Sequence, residues 1–185
     1  MGAFMDIAYI NAQLQNTKVN VDSIHGIEIV LEAFVKRITE LFGKNALLSA
    51  SYQIGATPGQ KIAERLLTAR GNVKFTNPLE ALVALFKETK KYFNIEIVQV
   101  ENIQQNASEI VVKMKNHCFL RNVIKDRPVL AVGEPLCRIN KGYLETALRL
   151  LTGKRVELSR VGDDAAADMC LETIRFQQEK VLGPS

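Results

Sequence analysis

The sequence predicts an α+β fold: a helical layer packed on a four-stranded antiparallel sheet, in the order ααα-ββ-α-ββ. Two observations carry that reading. Apolar residues recur every three or four positions through the N-terminal half, and the period then drops to two at Ile95-Glu96-Ile97, the alternation of a half-buried strand. Strand-like runs also arrive in pairs joined by short polar links, with helical runs grouped between the pairs, which is the α+β plan.

Each element has its own signals. Asp22 or Ser23 can cap a first helix whose apolar face is Ile24, Ile27, Leu31, Phe34, Val35, Ile38 and Leu41, with Gly43 as its stop. Residues 45–70 read as a second helical region. Pro58, which has no N–H to donate, is expected to bend it or to start a new helix. Gly55 and Gly59 leave a notch where another element can approach, Ile62, Leu66 and Leu67 point inward, and Gly71 ends the run. Thr76-Asn77-Pro78 is a polar cap followed by proline at the first helical position. It opens a third helix with Leu79, Leu82, Val83, Phe86 and Phe93 inward and Lys87, Lys90 and Lys91 solvated. Residues 95–100 and 109–114 form a hairpin across a polar turn at 103–107. A connection through Pro128 and Gly133-Glu134-Pro135 can hold one short helix and a lid. A helix over about 142–151 puts Tyr143, Leu144, Ala147, Leu148 and Leu151 on one face and stops at Gly153. A strand over 155–161, an acidic turn over 162–168 and a strand over 170–176 close the chain.

Composition bounds the class. At 185 residues, 47% hydrophobic and 24% charged, the chain is one domain with a real core, and disorder is excluded over most of its length. The reading divides it into an extension over 1–21, a domain over 22–177 and a tail over 178–185. The net charge of +4 is spread over scattered basic residues without interleaved aromatics, so no nucleic acid is expected as a partner. No apolar run nears the roughly 18 residues of a transmembrane segment, and Met1 to Ile10 lacks a signal-peptide pattern. Three cysteines fit a reducing compartment, and the expected location is cytoplasmic.

Five pieces, taken in order, resemble one family. They are Ile54-Gly55 with Gly59 and Ile62-Ala63; the run Val111 to His117 ending in Cys118; Cys137 five residues before Gly142-Tyr143; Leu151-Thr152-Gly153-Lys154 with Val156; and Cys170 with Phe176. Together they make Val21 to Phe176 similar to the vinyl-reductase, or hydrocarbon-binding, domain family. That family is similar in fold to small subunits of the TRAPP vesicle-tethering complex and, more distantly, to haem nitric-oxide-binding domains. The resemblance implies a pocket for a small or elongated apolar molecule, often in a dimer. The reductase name is historical and implies no catalysis.

Zinc-bearing relatives hold the metal with a cysteine before the Gly-Tyr helix, a glutamate ending the next strand and a cysteine pair around the following turn. Here Cys137 and Cys170 remain. The glutamate position falls on Ser159 or Arg160, and the first cysteine of the pair on Gly162 or Asp163. Two thiolates do not close a four-coordinate site, and Asp163 and His117 are weak replacements, so zinc is not expected. Asp163, Asp164 and Asp168 miss the spacing of a calcium loop and read as a solvated turn.

The residues expected to line the pocket are Tyr52, Phe86, Cys118, Phe119, Cys137 and Tyr143: aromatic area with phenols to orient a polar end, and two thiols at the rim or wall. The plainer reading makes the cysteines small buried hydrophobes and the aromatics core. His117 neighbours Cys118, but adjacent strand residues face opposite ways, which disfavours a nucleophile–base pair. No HExxH, GxSxG or phosphate loop occurs. The expected function is binding of an aromatic, lipid or tetrapyrrole-like ligand as a sensor or carrier, with a bound lipid or pigment as the only cofactor. The alternatives are a dimeric assembly factor resembling TRAPP subunits and, on the family name alone, an enzyme. The expected partners are a second copy of the chain and a partner protein that receives the signal.

Overall fold

A computed structural model describes residues 23–102, 109–121, 123 and 135–177. The N-terminal extension, Asp22, the turn at 103–107, the connection through Pro128 and Gly133-Glu134 and the tail at 178–185 lie outside the described residues. The elements are α1 (Ser23–Ala69), α2 (Pro78–Thr89), β1 (Phe93–Glu101), β2 (Glu109–Cys118), α3 (Leu136–Thr152), β3 (Arg155–Asp164) and β4 (Met169–Gln177). The four strands form one antiparallel sheet in the order β1-β2-β4-β3. The α+β plan and both hairpins are as the sequence predicts.

Glycine punctuates the helices where the sequence places it. Gly43 interrupts α1 at φ 79° and ψ 166°, a backbone region open essentially to glycine alone, so α1 is two helical segments meeting at one residue. Gly153 takes a left-handed conformation after α3 and donates its N–H to the Arg149 carbonyl. At the start of α2, the Asn77 side chain accepts from the Leu79 N–H at 2.9 Å ahead of Pro78.

Four expectations need correction. Helical dihedrals continue through Pro58, so no new helix starts there; the loss is one hydrogen bond to the Ile54 carbonyl, on an exposed turn where water can replace it. The helix expected from about Gly142 begins six residues earlier, at Leu136, because nothing between Pro135 and Gly142 breaks it. β3 runs to Asp164, past a register shift between Arg160 and Gly162, so the acidic turn is shorter than expected. Ile27, Phe34, Leu41 and Val83 are exposed although the helical period placed them inward. Phe93 is inward, but as the first residue of β1.

The helices cover the sheet face that carries Val112, Met114, Ile174 and Phe176. These pack with Leu85 of α2 and with Leu144, Leu148 and Leu151 of α3 in the main core. A second cluster joins Val35 and Leu47 of α1 to Phe93, Cys118, Leu120 and Leu136. Each of these large side chains stabilises the fold by about 1.5–3 kcal/mol through burial. The partly buried Tyr143 and Ile95 touch both clusters.

α1 and α3 meet almost backbone to backbone. A Cβ added at Gly55 would lie 1.9 Å from the Ile139 carbonyl oxygen, one at Gly59 2.4 Å from that of Tyr143, and one at Gly142 2.0 Å from that of Tyr52. The notch read at Gly55 and Gly59 is filled by α3, with Gly142 as the matching gap on the other helix.

Candidate functional site

The close α1–α3 crossing fixes the position of Tyr143. Its ring emerges beside Gly59 and faces the start of β1. There a cleft of about 830 Å³ opens, bounded by α1, the C-terminal end of α2, the start of β1, the residue after β2 and α3. This size lies within the range of small-molecule sites.

Aromatic rings form its wall. Phe93 stands 5.6 Å from Tyr143 in a tilted pair and 6.0 Å from Phe119 edge-on, and Phe119 stands 6.4 Å from Tyr92, also edge-on. A backbone bond from the Phe119 N–H to the Tyr92 carbonyl, 2.9 Å, ties the two ends of the hairpin together and fixes this spacing. Ile62 and Ile139 add aliphatic surface. Phe93 is buried, whereas Tyr92 and Phe119 are about half exposed. Burial raises the Tyr143 phenol above its ordinary value, against the opposing charge of Arg65, so the hydroxyl stays protonated at neutral pH.

The polar groups deep in the cleft are engaged elsewhere. The Thr89 hydroxyl donates to the Leu85 carbonyl at 2.9 Å. The Asn140 amide donates to Glu172 at 3.2 Å, leaving its buried carbonyl oxygen without a partner among the described residues. Charges gather where the lining is exposed: Lys61, Arg65, Glu88 and Lys91. Arg65 of α1 reaches Glu88 of α2 at 2.6 Å.

Of the six residues singled out from sequence, the structure brings Phe119 and Tyr143 together in this cleft. Tyr52 lies in the α1–α3 seam. Its hydroxyl donates to Glu145 at 2.9 Å, and Glu145 also accepts from the Leu158 N–H at 2.7 Å. Burial and then Glu145 raise the Tyr52 phenol. Phe86 packs against the main core. Cys118 is buried in the second cluster, and burial pushes its thiol up to about 12. Cys137 lines a smaller pocket of about 210 Å³ with Lys141, Ser159, Arg160 and Glu172. Sequence reading missed Tyr92, Arg65 and Lys61 as lining residues; the aromatic pair Tyr92-Phe93 at the helix-to-strand joint was the available signal.

Beside Cys170, at the acidic turn, the chain places a guanidinium. Arg121 donates to Asp163 and Asp168 at 3.1 Å each and to Cys170 Sγ at 3.0 Å. Arg160 also pairs with Asp163, and Lys115 with Asp164 at 3.0 Å. The acidic turn is solvent-facing, and protein cations also pair with its carboxylates. Among the described residues no group of three or more His, Cys, Asp or Glu is arranged to hold a metal ion, and Cys170 is engaged by Arg121, so the residues present do not fit a zinc site. His117 accepts from or donates to nothing on Cys118; its Nδ1 lies 2.9 Å from the Asp168 carbonyl oxygen.

No family model matches the chain, and no curated protein matches it in sequence. Two of the solved structures that share its fold are described by what they hold. One is the phenol-responsive sensory domain of the transcription activator PoxR with phenol, at a TM-score of 0.56 and 16% identity, covering 81% of this chain and 74% of that one. The other is a trafficking protein particle complex subunit 3 from Naegleria fowleri covalently bound to palmitic acid, at a TM-score of 0.54 and 14% identity, covering 82% of this chain and 93% of that one. At these identities the likeness is one of fold: the chain shares the architecture of these two proteins.

Proposed function

We propose that this chain binds a small or elongated apolar molecule in the aromatic cleft, as a sensor or carrier. The observation that carries the reading is the cleft itself: three touching aromatic pairs around about 830 Å³ of space. The two structural neighbours, one solved with phenol and one with palmitic acid, support it, as does the resemblance to the hydrocarbon-binding family. Burying about 200–300 Å² of apolar ligand surface gains roughly 5–8 kcal/mol, which reaches the micromolar range before ordering costs. No catalytic group is needed for this and none is assigned. The described lining holds no cysteine, so the ligand is held without a covalent bond, and a lipid or pigment that copurifies with the protein leaves on denaturation. The binding unit is residues 22–177, and its signal passes to a partner protein in the cytoplasm.

The test is fluorescence titration with the neutral apolar probe N-phenyl-1-naphthylamine. The wild type should bind it, and Tyr143→Ala and Phe119→Ala should each weaken binding by about tenfold, the cost of one aromatic wall. A wild type that leaves the probe dark, or two variants with unchanged affinity, defeats the reading.

A second copy of the chain is the partner that the outer face of α1 supports. Ile27, Val30, Phe34, Leu41 and Phe42 are all exposed there, and a contiguous apolar face of this kind marks an interaction surface. Light scattering should give a dimer mass that falls to the monomer in Val30→Glu/Phe34→Glu; a monomeric wild type removes the dimer.

A further inference from the structure

We infer that the cleft selects an apolar anion, a carboxylate or similar acidic head on an aliphatic or aromatic body, and holds the head at its rim on Lys61, Arg65 and Lys91. This rests on the reading that the cleft binds an apolar body. Three observations lead to it.

The charges are sorted by depth. Every charged residue in the described lining is exposed, and three of the four are basic. Lys61 and Arg65 are one helical turn apart and share a face of α1; Lys91 comes from the turn before β1. Lys61 and Lys91 have no ion-pair partner among the described residues.

The interior rejects an anion. Thr89 and the Asn140 amide already donate elsewhere, and the group left over there is the Asn140 carbonyl oxygen, an acceptor. A carboxylate placed against Phe93 would lose its hydration among aromatic rings, with the Tyr143 hydroxyl as the one nearby donor to offset it, a large cost. The ligand therefore enters body first and leaves its head outside, within reach of the Tyr143 hydroxyl and the three cations.

The rim also carries an exchangeable latch. Arg65 bridges α1 to α2 through Glu88 at 2.6 Å, with both side chains largely exposed. Such a pair contributes little to stability, so a ligand carboxylate can take Glu88's place on the guanidinium, where the fork geometry favours it. Glu88 is then a competitor for the ligand head, and its removal should strengthen binding.

The full chain can test this with N-phenyl-1-naphthylamine as reporter and two competitors of equal length, decanoate and 1-decanol. The alcohol is the more apolar of the two, so a preference for the acid cannot come from the aromatic wall. The wild type should prefer decanoate by about tenfold, less at high salt. Lys61→Gln/Arg65→Gln should reduce that preference to about threefold or less, each competitor being referred to the probe affinity of the same variant, while Glu88→Gln should tighten decanoate relative to decanol. Equal competition by acid and alcohol in the wild type, with the probe bound, overturns the inference and spares the apolar cleft. So does a preference that survives the double substitution or a Glu88→Gln variant no tighter for the acid. A probe that never binds overturns both.

Discussion

Asn116 on β2 donates its side-chain amide to the Glu172 carboxylate on β4 at 2.8 Å, and both side chains are buried. Asn140 of α3 donates to the other carboxylate oxygen. Burial pushes the Glu172 carboxyl up to about 7, against the pull of Asn116, of Arg160 opposite it on β3 and of Asn140. The arrangement leaves the carbonyl oxygens of both asparagines without partners among the described residues, so three elements meet at a polar group that the carboxylate satisfies only by half.

Stability should therefore depend on pH through Glu172. An unfolded glutamate ionises near 4.5, the folded one near 7. Between those values the folded chain holds a proton that the unfolded chain has released, so unfolding free energy falls as pH rises. The contribution is complete below the lower value and gone above the upper one. Glu172→Gln cannot ionise, and its amide can donate to one of the orphaned carbonyl oxygens. The variant should gain roughly 1–3 kcal/mol on the wild type between about pH 5 and pH 8. Thermal melts across that range decide it: a gap that does not change with pH assigns the titration elsewhere.

The α1–α3 seam makes a sharper structural prediction. Gly142→Ala sets a methyl 2.0 Å from the Tyr52 carbonyl oxygen, and Gly55→Ala sets one 1.9 Å from that of Ile139. Neither backbone can yield without separating the helices, so each should cost about 1–3 kcal/mol or more. Gly26→Ala, in the first segment of α1 with nothing near its added Cβ, should instead gain up to about 1 kcal/mol from helix propensity. Chemical denaturation of the three variants checks the contrast; a tolerated Gly142→Ala would mean that the helices sit farther apart.

What was legible in the sequence was local. Gly43, Gly71 and Gly153 stop helices because a single backbone position demands it, and Asn77-Pro78 starts one through a bond two residues long. Alternation in residues 95–100 and 109–114 identified a hairpin for the same reason. The misplaced residues share a different cause. Periodicity shows that Ile27, Phe34 and Leu41 form an apolar face, but not that this chain leaves it uncovered. The early start of α3 was hidden because Arg138, Asn140 and Lys141 look like a loop until Asn140 is seen to meet Glu172 and Lys141 to meet the Leu158 carbonyl at 2.8 Å. In the site, Phe119 and Tyr143 were readable as large rings, Tyr143 with a polar end. Lys61 and Arg65 were not, since on sequence they match any solvated helix face. Tyr52 failed as a pocket residue because Glu145, 93 positions away, claims its hydroxyl.

The thiols should be unequal. Burial raises both Cys118 and Cys170, the second despite Arg121, which opposes the shift, and a buried thiol is a poor nucleophile. Cys137 is partly exposed. In the folded protein Ellman's reagent should modify Cys137 first, and the other two only on unfolding. Rapid reaction in folded Cys137→Ser would show that the second cluster or the acidic turn is open to solvent.

Arg121 should behave as the electrostatic centre of the β3–β4 turn. Its side chain is 8% exposed, while Asp163 and Asp168 are each 37% exposed, so the guanidinium has given up water that the carboxylates partly keep. Arg121→Met retains the apolar stem but leaves the two carboxylates facing each other with Arg160 alone to neutralise Asp163. Losing one partner of a buried pair costs up to about 5 kcal/mol; discounted for the exposed carboxylates, about 1–3 kcal/mol is expected. The charge argument separates from simple stem loss in a further variant. Adding Asp163→Asn and Asp168→Asn to Arg121→Met should restore half or more of the lost stability, because it removes the repulsion that the missing guanidinium had offset. If denaturation curves show no recovery, Arg121 acts through its apolar stem and its bond to Cys170, and the acidic turn does not need a cation.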